Sequence, residues 1–224
     1  RTQDIQFTVH CPELFSNDHI LDLCSLDRKY RDRSIKDLQR VIEVTRNLKK
    51  FFPKSDKPLI VVNAGGHSQD APLTVSDRKK RYDLILDSLS QINHEGVELI
   101  PQTMPPFPWH FGGQRFQNLF MDPTEIVDFC KQHHYRVCLD ISHSKLACNH
   151  NKWSFKKFIE EVTPYTALLH IVDARGVDGE GLQIEDGEID FALLGEQLDK
   201  LAPNIGFIPE VWQGHKKGGE GFWI

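Results

Sequence analysis

The feature that most limits what this chain can fold into is a recurrence. Short apolar runs, each suited to a buried strand, alternate with stretches of helical periodicity, and the apolar runs stop on polar residues. RVCLDISH, Arg136 to His143, is the clearest case. Val137, Cys138 and Leu139 suit a strand packed on both faces, and Asp140 and His143 arrive at its C-terminal end. VELIPQ stops at Gln102, TALLH at His170, IGFIPE at Glu210 and IQFTVH at His10, while PLIVVNAGG enters a glycine turn. An apolar strand that brings a carboxylate and an imidazole to its C-terminal edge is how α/β barrels place metal ligands.

The intervening stretches read as helices. Ser34 is the expected cap of the first, which carries Ile35, Leu38, Val41, Ile42 and Leu48 on one face and closes at Pro53. Ser76 opens a second, with Tyr82, Ile85, Leu86 and Leu89 inward and Asn93 to Gly96 as its stop. Asp122-Pro123 starts a third through Ile126, Val127 and Cys130. Trp153 to Tyr165 forms a fourth, and Phe191, Leu194, Leu198 and Leu201 line a fifth. SKLACNHN after the Asp140 strand, and the Gly- and Asp-rich stretch after Ala174, read as loops.

Strand–helix alternation with a period of about 30 to 50 residues implies right-handed βαβ units and a parallel sheet. Six units fall short of an eight-stranded barrel; two more, of about 30 or more residues each, would have to precede them. The expectation is an α/β fold, a (β/α)8 TIM barrel incomplete at its N-terminus with about six βα units, forming one domain over residues 1–224. The chain starts at Arg1 without a Met, and the final GEGFWI looks like the start of a helix. Both suggest a piece of a longer protein or a natural minimal variant. A Rossmann-type open sheet is the alternative, but no strand is followed by GxGxxG, for which NAGGHS is a poor substitute.

Composition narrows the class further. No apolar run approaches about 18 residues, so no membrane span is expected, and no signal peptide is visible. The five cysteines, Cys11, Cys24, Cys130, Cys138 and Cys148, are scattered, odd in number and lack a CxxC. They read as buried small apolar residues of a protein in a reducing, cytoplasmic compartment. A net charge of −5 leans against a protein that grips nucleic acid through its phosphates.

The ordered pieces FTVHCP, VVNAGG, LIPQTMPP, CLDISH, LLHIVDA, EDGEIDF and FIPEVW resemble the xylose isomerase-like barrels. That family includes sugar isomerases, sugar epimerases and apurinic-site endonucleases. The resemblance covers nearly the whole chain, as the last six strands of eight. It implies one divalent metal held by Gln102, Asp140, His170 and Glu210, with Glu210 as a base and His143 in contact with substrate. Gln102 departs from the pattern: the sugar isomerase branch has a Glu there, whereas Gln offers only a carbonyl oxygen and cannot act as a base. Glu98 or His143 would then be the substitute for the second base. In the nuclease branch Asn63 would be a His and Gln102 a Glu, so the multi-zinc site looks dismantled.

Asp140, His170 and Glu210 form a mixed oxygen and nitrogen set suited to Mn²⁺, Mg²⁺, Co²⁺ or Zn²⁺; a buried polar network tying strand ends together is the alternative. His10 ends its strand in the same register and is a candidate pocket residue. The loop Pro105 to Gln114 carries Phe107, Trp109 and Phe111, aromatic faces that suit sugar rings or else pack as a lid. Arg175 is a candidate for an anionic group, with Asp173 to orient it, and Lys216-Lys217-Gly218-Gly219 reads as a solvated loop. Three functions follow. The first is a divalent-metal-dependent sugar or sugar-phosphate isomerase/epimerase moving a proton next to a carbonyl. The second is a catalytically reduced sugar-binding or regulatory domain of a larger carbohydrate-biosynthetic enzyme. The third and weakest is an apurinic-site nuclease. A homo-oligomer or a fusion to other domains is compatible with each.

Overall fold

The structure, a computed structural model, describes residues 4–109, 112, 114–201, 204–216 and 219. Phe111, Gly113, Lys217, Gly218 and Glu220 to Ile224 therefore lie outside the described residues, as does the side chain of Leu201. Two compact units emerge: residues 1–66 with 73–102, and residues 67–72 with 103–224.

The first unit holds strands β1 (Val9–His10), β2 (Leu59–Val62) and β3 (Glu98–Pro101), paired in sequence order and all parallel. Helix α1 (Arg28–Lys49) joins β1 to β2, and α2 (Val75–Ser90) joins β2 to β3. The apolar runs form strands because Ile60, Val61 and Ile100 are buried on both sheet faces. Helix α1 buries Ser34, Leu38, Ile42 and Thr45 as one stripe. It starts earlier than Ser34: the Asp27 carboxylate accepts the Lys29 and Tyr30 backbone N–H groups and caps it. Ser34 sits inside the helix, where its Oγ serves His19 Nε2 and the Asp22 N–H at 3.0 Å each. Similarly Thr74, not Ser76, caps α2 by accepting from the Asp77 N–H. Leu48, expected inward, is 40% exposed at the last turn of α1. Gly65, in the turn after β2, has a φ of 96°, and a β-carbon there would come within 2.1 Å of Asp22 Oδ1. Only glycine allows that approach.

The second unit repeats the plan. Strands β4 (Val137–Asp140), β5 (Thr166–Ile171) and β6 (Phe207–Pro209) are parallel and in sequence order. Helix α3 (Pro123–His133) precedes β4, with Asp122 as cap and Pro123 at its first turn, as the sequence predicts. The stretch expected to be a loop after Asp140 is instead helix α4 (Ile141–Asn151), ending at Lys152 in the left-handed region. The Asp140 carboxylate supplies its cap, so one residue ends the strand and starts the helix. Helices α5 (Phe155–Val162) and α6 (Phe191–Leu201) follow, α5 burying Phe158, Ile159 and Val162. The Gly- and Asp-rich stretch after β5 is also structured: Asp173–Arg175 pairs antiparallel with Gly179–Leu182. All five cysteines are free and buried. Among the described residues no helix is long and apolar enough to cross a membrane.

Candidate metal centre

Strand register builds the centre of the second unit. Asp140 pairs with His170, and His170 with Ile208, so the ends of β4, β5 and β6 lie side by side. Glu210 follows β6 directly and is held by its N–H on the Ile171 carbonyl at 3.2 Å. His170 Nδ1 then lies 3.2 Å from Glu210 Oε1 and 3.7 Å from Asp140 Oδ2. Two carboxylates thus converge on one ring nitrogen, with His170 and Asp140 both 1% exposed and Glu210 open to solvent on one side.

Thr103 fixes the carboxylate end. Its Oγ accepts the Asp140 N–H at 2.9 Å and sits 3.2 Å from the Asp140 carbonyl and 3.1 Å from Ser144 Oγ. Asp140 Oδ1 accepts the His143 backbone N–H at 2.8 Å. His143 stands in the first turn of α4, its Nδ1 3.0 Å from the Thr103 carbonyl and 3.4 Å from Asp140 Oδ2. Its Nε2 lies 3.3 Å from Glu180 Oε2.

Charge follows from this packing. Burial pulls the pKa of His170 down, but the Asp140, Cys138 and Glu210 side chains outweigh it and push it up to about 12. His143 is opposed by burial and raised to about 9 by Asp140 and Glu180. Burial alone raises the Asp140 carboxyl, yet His143 and His170 bring it below its usual value. Both imidazoles of the metal-free centre therefore carry their second proton near neutral pH. His170 and Glu210 offer ligand atoms within 4.8 Å of one another, and together with Asp140 they supply oxygen and nitrogen donors of the kinds that Mn²⁺, Mg²⁺, Co²⁺ or Zn²⁺ take.

Residues 1–222 match the xylose isomerase-like TIM barrel family. The chain belongs to that family. With it the barrel fold class stands and the Rossmann-type alternative falls away. None of the curated proteins matches the chain in sequence. Among solved structures it is similar to a D-tagatose 3-epimerase-like protein, with a TM-score of 0.67 and 20% identity over 92% of this chain and 70% of that one. A D-psicose 3-epimerase from Clostridium cellulolyticum H10 gives 0.63 and 16% over 97% and 74%. An L-ribulose 3-epimerase gives 0.61 and 18% over 85% of this chain and 58% of its own.

The other candidate residues of this xylose isomerase-like barrel chain sort as follows. Gln102 and His10 belong to the first unit and meet there: His10 Nε2 lies 3.0 Å from Gln102 Oε1, so the single ligand oxygen of the buried Gln102 already has a partner. Asn63, buried in the same unit, donates to the Glu13 carboxylate. Glu98 begins β3 in register with Leu59, at the opposite end of the strand from Gln102, so it is misplaced as a substitute base. Phe107 packs edge-on against His150 and beside Phe116. Trp109 is 55% exposed and meets Trp212 edge-on at 6.0 Å. Arg175 is exposed and donates to the Asp186 carbonyl. Asp173 does not orient it; its carboxylate accepts four backbone N–H groups, from Ala174, Glu185, Gly187 and Ile189.

Three contributors escaped sequence reasoning. Thr103 follows the strand end by one residue and carries no chemistry of its own. Cys138 reads as an apolar strand residue but shares a strand face with Asp140 and helps to push up the pKa of His170. Glu180 lies in a Gly-rich stretch; its only signal is a carboxylate in the connection just past the His170 strand.

Proposed function

We propose that the chain is a divalent-metal-dependent sugar isomerase or epimerase that moves a proton next to a carbonyl. The carrying observation is the convergence of the Asp140 and Glu210 carboxylates on one nitrogen of His170 at the C-terminal ends of three parallel strands. The sugar epimerases among its structural relatives support the substrate class. Asp140, His170 and Glu210 would hold the ion. When bound, it would polarise the hydroxy-carbonyl pair of the sugar.

The chain's own residues do the rest. Glu210, the solvent-facing carboxylate, takes the proton from the carbon beside the carbonyl. The electron pair moves onto the carbonyl oxygen, which receives a proton from the imidazolium of His143. Return of the carbon-bound proton from Glu210 to the neighbouring carbon, and of the hydroxyl proton to His143, completes an isomerisation. Epimerisation needs a second base on the other face. Gln102, a neutral residue where the sugar isomerase branch has a Glu, cannot supply it. That departure favours one-base isomerisation, or a sugar-binding domain with reduced turnover as the second reading. The free, buried cysteines fit a cytoplasmic setting.

The test is solvent-deuterium incorporation into a panel of ketoses and aldoses with Mn²⁺, Co²⁺ or Mg²⁺ supplied. Wild-type protein should label the carbon beside the carbonyl, and Glu210→Gln should lower labelling by at least about a hundredfold. Equal labelling by the two proteins would place the chemistry elsewhere. Sugar binding without labelling would favour the second reading.

A further inference from the structure

Glu180 stands on the hairpin strand that follows β5, its side chain 9% exposed. It pairs with His143 Nε2 at 3.3 Å, and no backbone or side-chain donor among the described residues makes a well-formed hydrogen bond to either carboxylate oxygen. The contrast with Asp173 on the same hairpin is plain: there four N–H groups saturate a buried carboxylate that organises the loop. A buried carboxylate is costly unless its lone pairs are satisfied, and the one imidazole N–H facing Glu180 leaves most of its acceptor capacity unfilled. Its place is nonetheless built. The Trp212 backbone N–H donates to the carbonyl of Gly181 at 2.9 Å, and Gly181, with a φ of 74°, lies so close to the Trp212 ring that a β-carbon would come within 2.4 Å of Cδ1. Trp212 in turn meets Trp109, and both indoles are 55% exposed.

We propose that Glu180 is a substrate-binding residue whose two oxygens accept hydrogen bonds from adjacent hydroxyls of the sugar, with the Trp109–Trp212 pair as the apolar face beside them. The inference rests on the proposed sugar chemistry of the neighbouring centre and adds a specificity determinant to it. A carboxylate acceptor beside the His143 N–H donor reads a hydroxyl, which both donates and accepts. The same carboxylate repels a phosphate or carboxylate presented at that end of the substrate.

The experiment is calorimetric titration of the Mn²⁺-loaded chain with D-tagatose, D-allulose, D-fructose and D-fructose 6-phosphate. It is run on wild type, Glu180→Gln and Trp109→Ala, with metal content and melting midpoint measured alongside. Wild type should bind a free ketose more tightly than the phosphate. Glu180→Gln should weaken the free ketose about tenfold and narrow its advantage over the phosphate, with metal content unchanged. Trp109→Ala should weaken the free ketose several-fold. Ketose affinity unaltered by Glu180→Gln at full metal content would overturn the role of Glu180 and leave the metal centre standing. No sugar binding by metal-loaded wild type would overturn the sugar reading and this inference with it.

Discussion

At His170 a single ring nitrogen faces the Asp140 and Glu210 carboxylates, and the His143 ring lies between Glu180 and the same Asp140 oxygen. In the metal-free protein the protons of these imidazoles hold the cluster together. Their folded pKa values, about 12 and about 9, lie above the 6.5 of an unperturbed histidine. That stabilisation is complete below pH 6.5 and is lost as pH rises through about 9 for His143 and about 12 for His170. Asp140 acts in the opposite sense, its lowered pKa giving stability that is lost on acidification. Metal-free protein should therefore show a falling urea midpoint between pH 6.5 and 9, and His143→Gln should flatten that fall. A flat wild-type profile would contradict the assignment. Thr103 offers a second residue-scale test. Thr103→Val removes the hydroxyl shared with Asp140 and Ser144 and leaves a buried N–H without its acceptor. The expected loss is about 1–3 kcal/mol in urea unfolding.

The hairpin after β5 is an element hung on one side chain. Four backbone N–H groups of the stretch from Ala174 to Ile189 end on Asp173. Asp173→Asn replaces one acceptor oxygen with a donor, so amide hydrogen exchange across residues 174–189 should quicken at least about tenfold, while β4 and β5 keep their protection. Uniform protection in the variant would show that the hairpin is held otherwise. The strands and most helices were legible in the sequence, because buried parallel strands read as short apolar runs and Asp122-Pro123 is a strong start signal. Helix α4 was not, because Ser142, Ser144 and Cys148 are buried alongside Leu146, leaving no apolar stripe to count. Ser34 misled for a related reason: a serine ahead of an apolar face suits a cap, but Asp27 lies one full turn and more upstream with its carboxylate free to do so. In the site, the apolar runs placed Asp140, His170 and Glu210 at strand ends, and their reading as one metal set came from the family resemblance. Glu180 was not legible, since antiparallel pairing in a Gly-rich stretch leaves no periodic trace.

Across the whole chain the family match runs through both compact units, from residue 1 to 222. The sequence carries a formal net charge of −5. A ligand that binds only the folded centre stabilises the protein by mass action, about 2.7 kcal/mol at a free concentration a hundredfold above Kd. Mn²⁺ should accordingly raise the melting midpoint, whereas Glu210→Gln should blunt the rise. The most direct measurement is the stoichiometry of Mn²⁺ binding, read from the electron paramagnetic resonance signal of the free ion during titration. It requires wild type and His170→Gln, each verified as folded by circular dichroism. Wild type should take up one ion per chain, with tighter binding at higher pH as His170 gives up its proton, and His170→Gln should lose that ion. Equal uptake by the two folded proteins, or none by wild type, would contradict the assignment of Asp140, His170 and Glu210 as a metal centre.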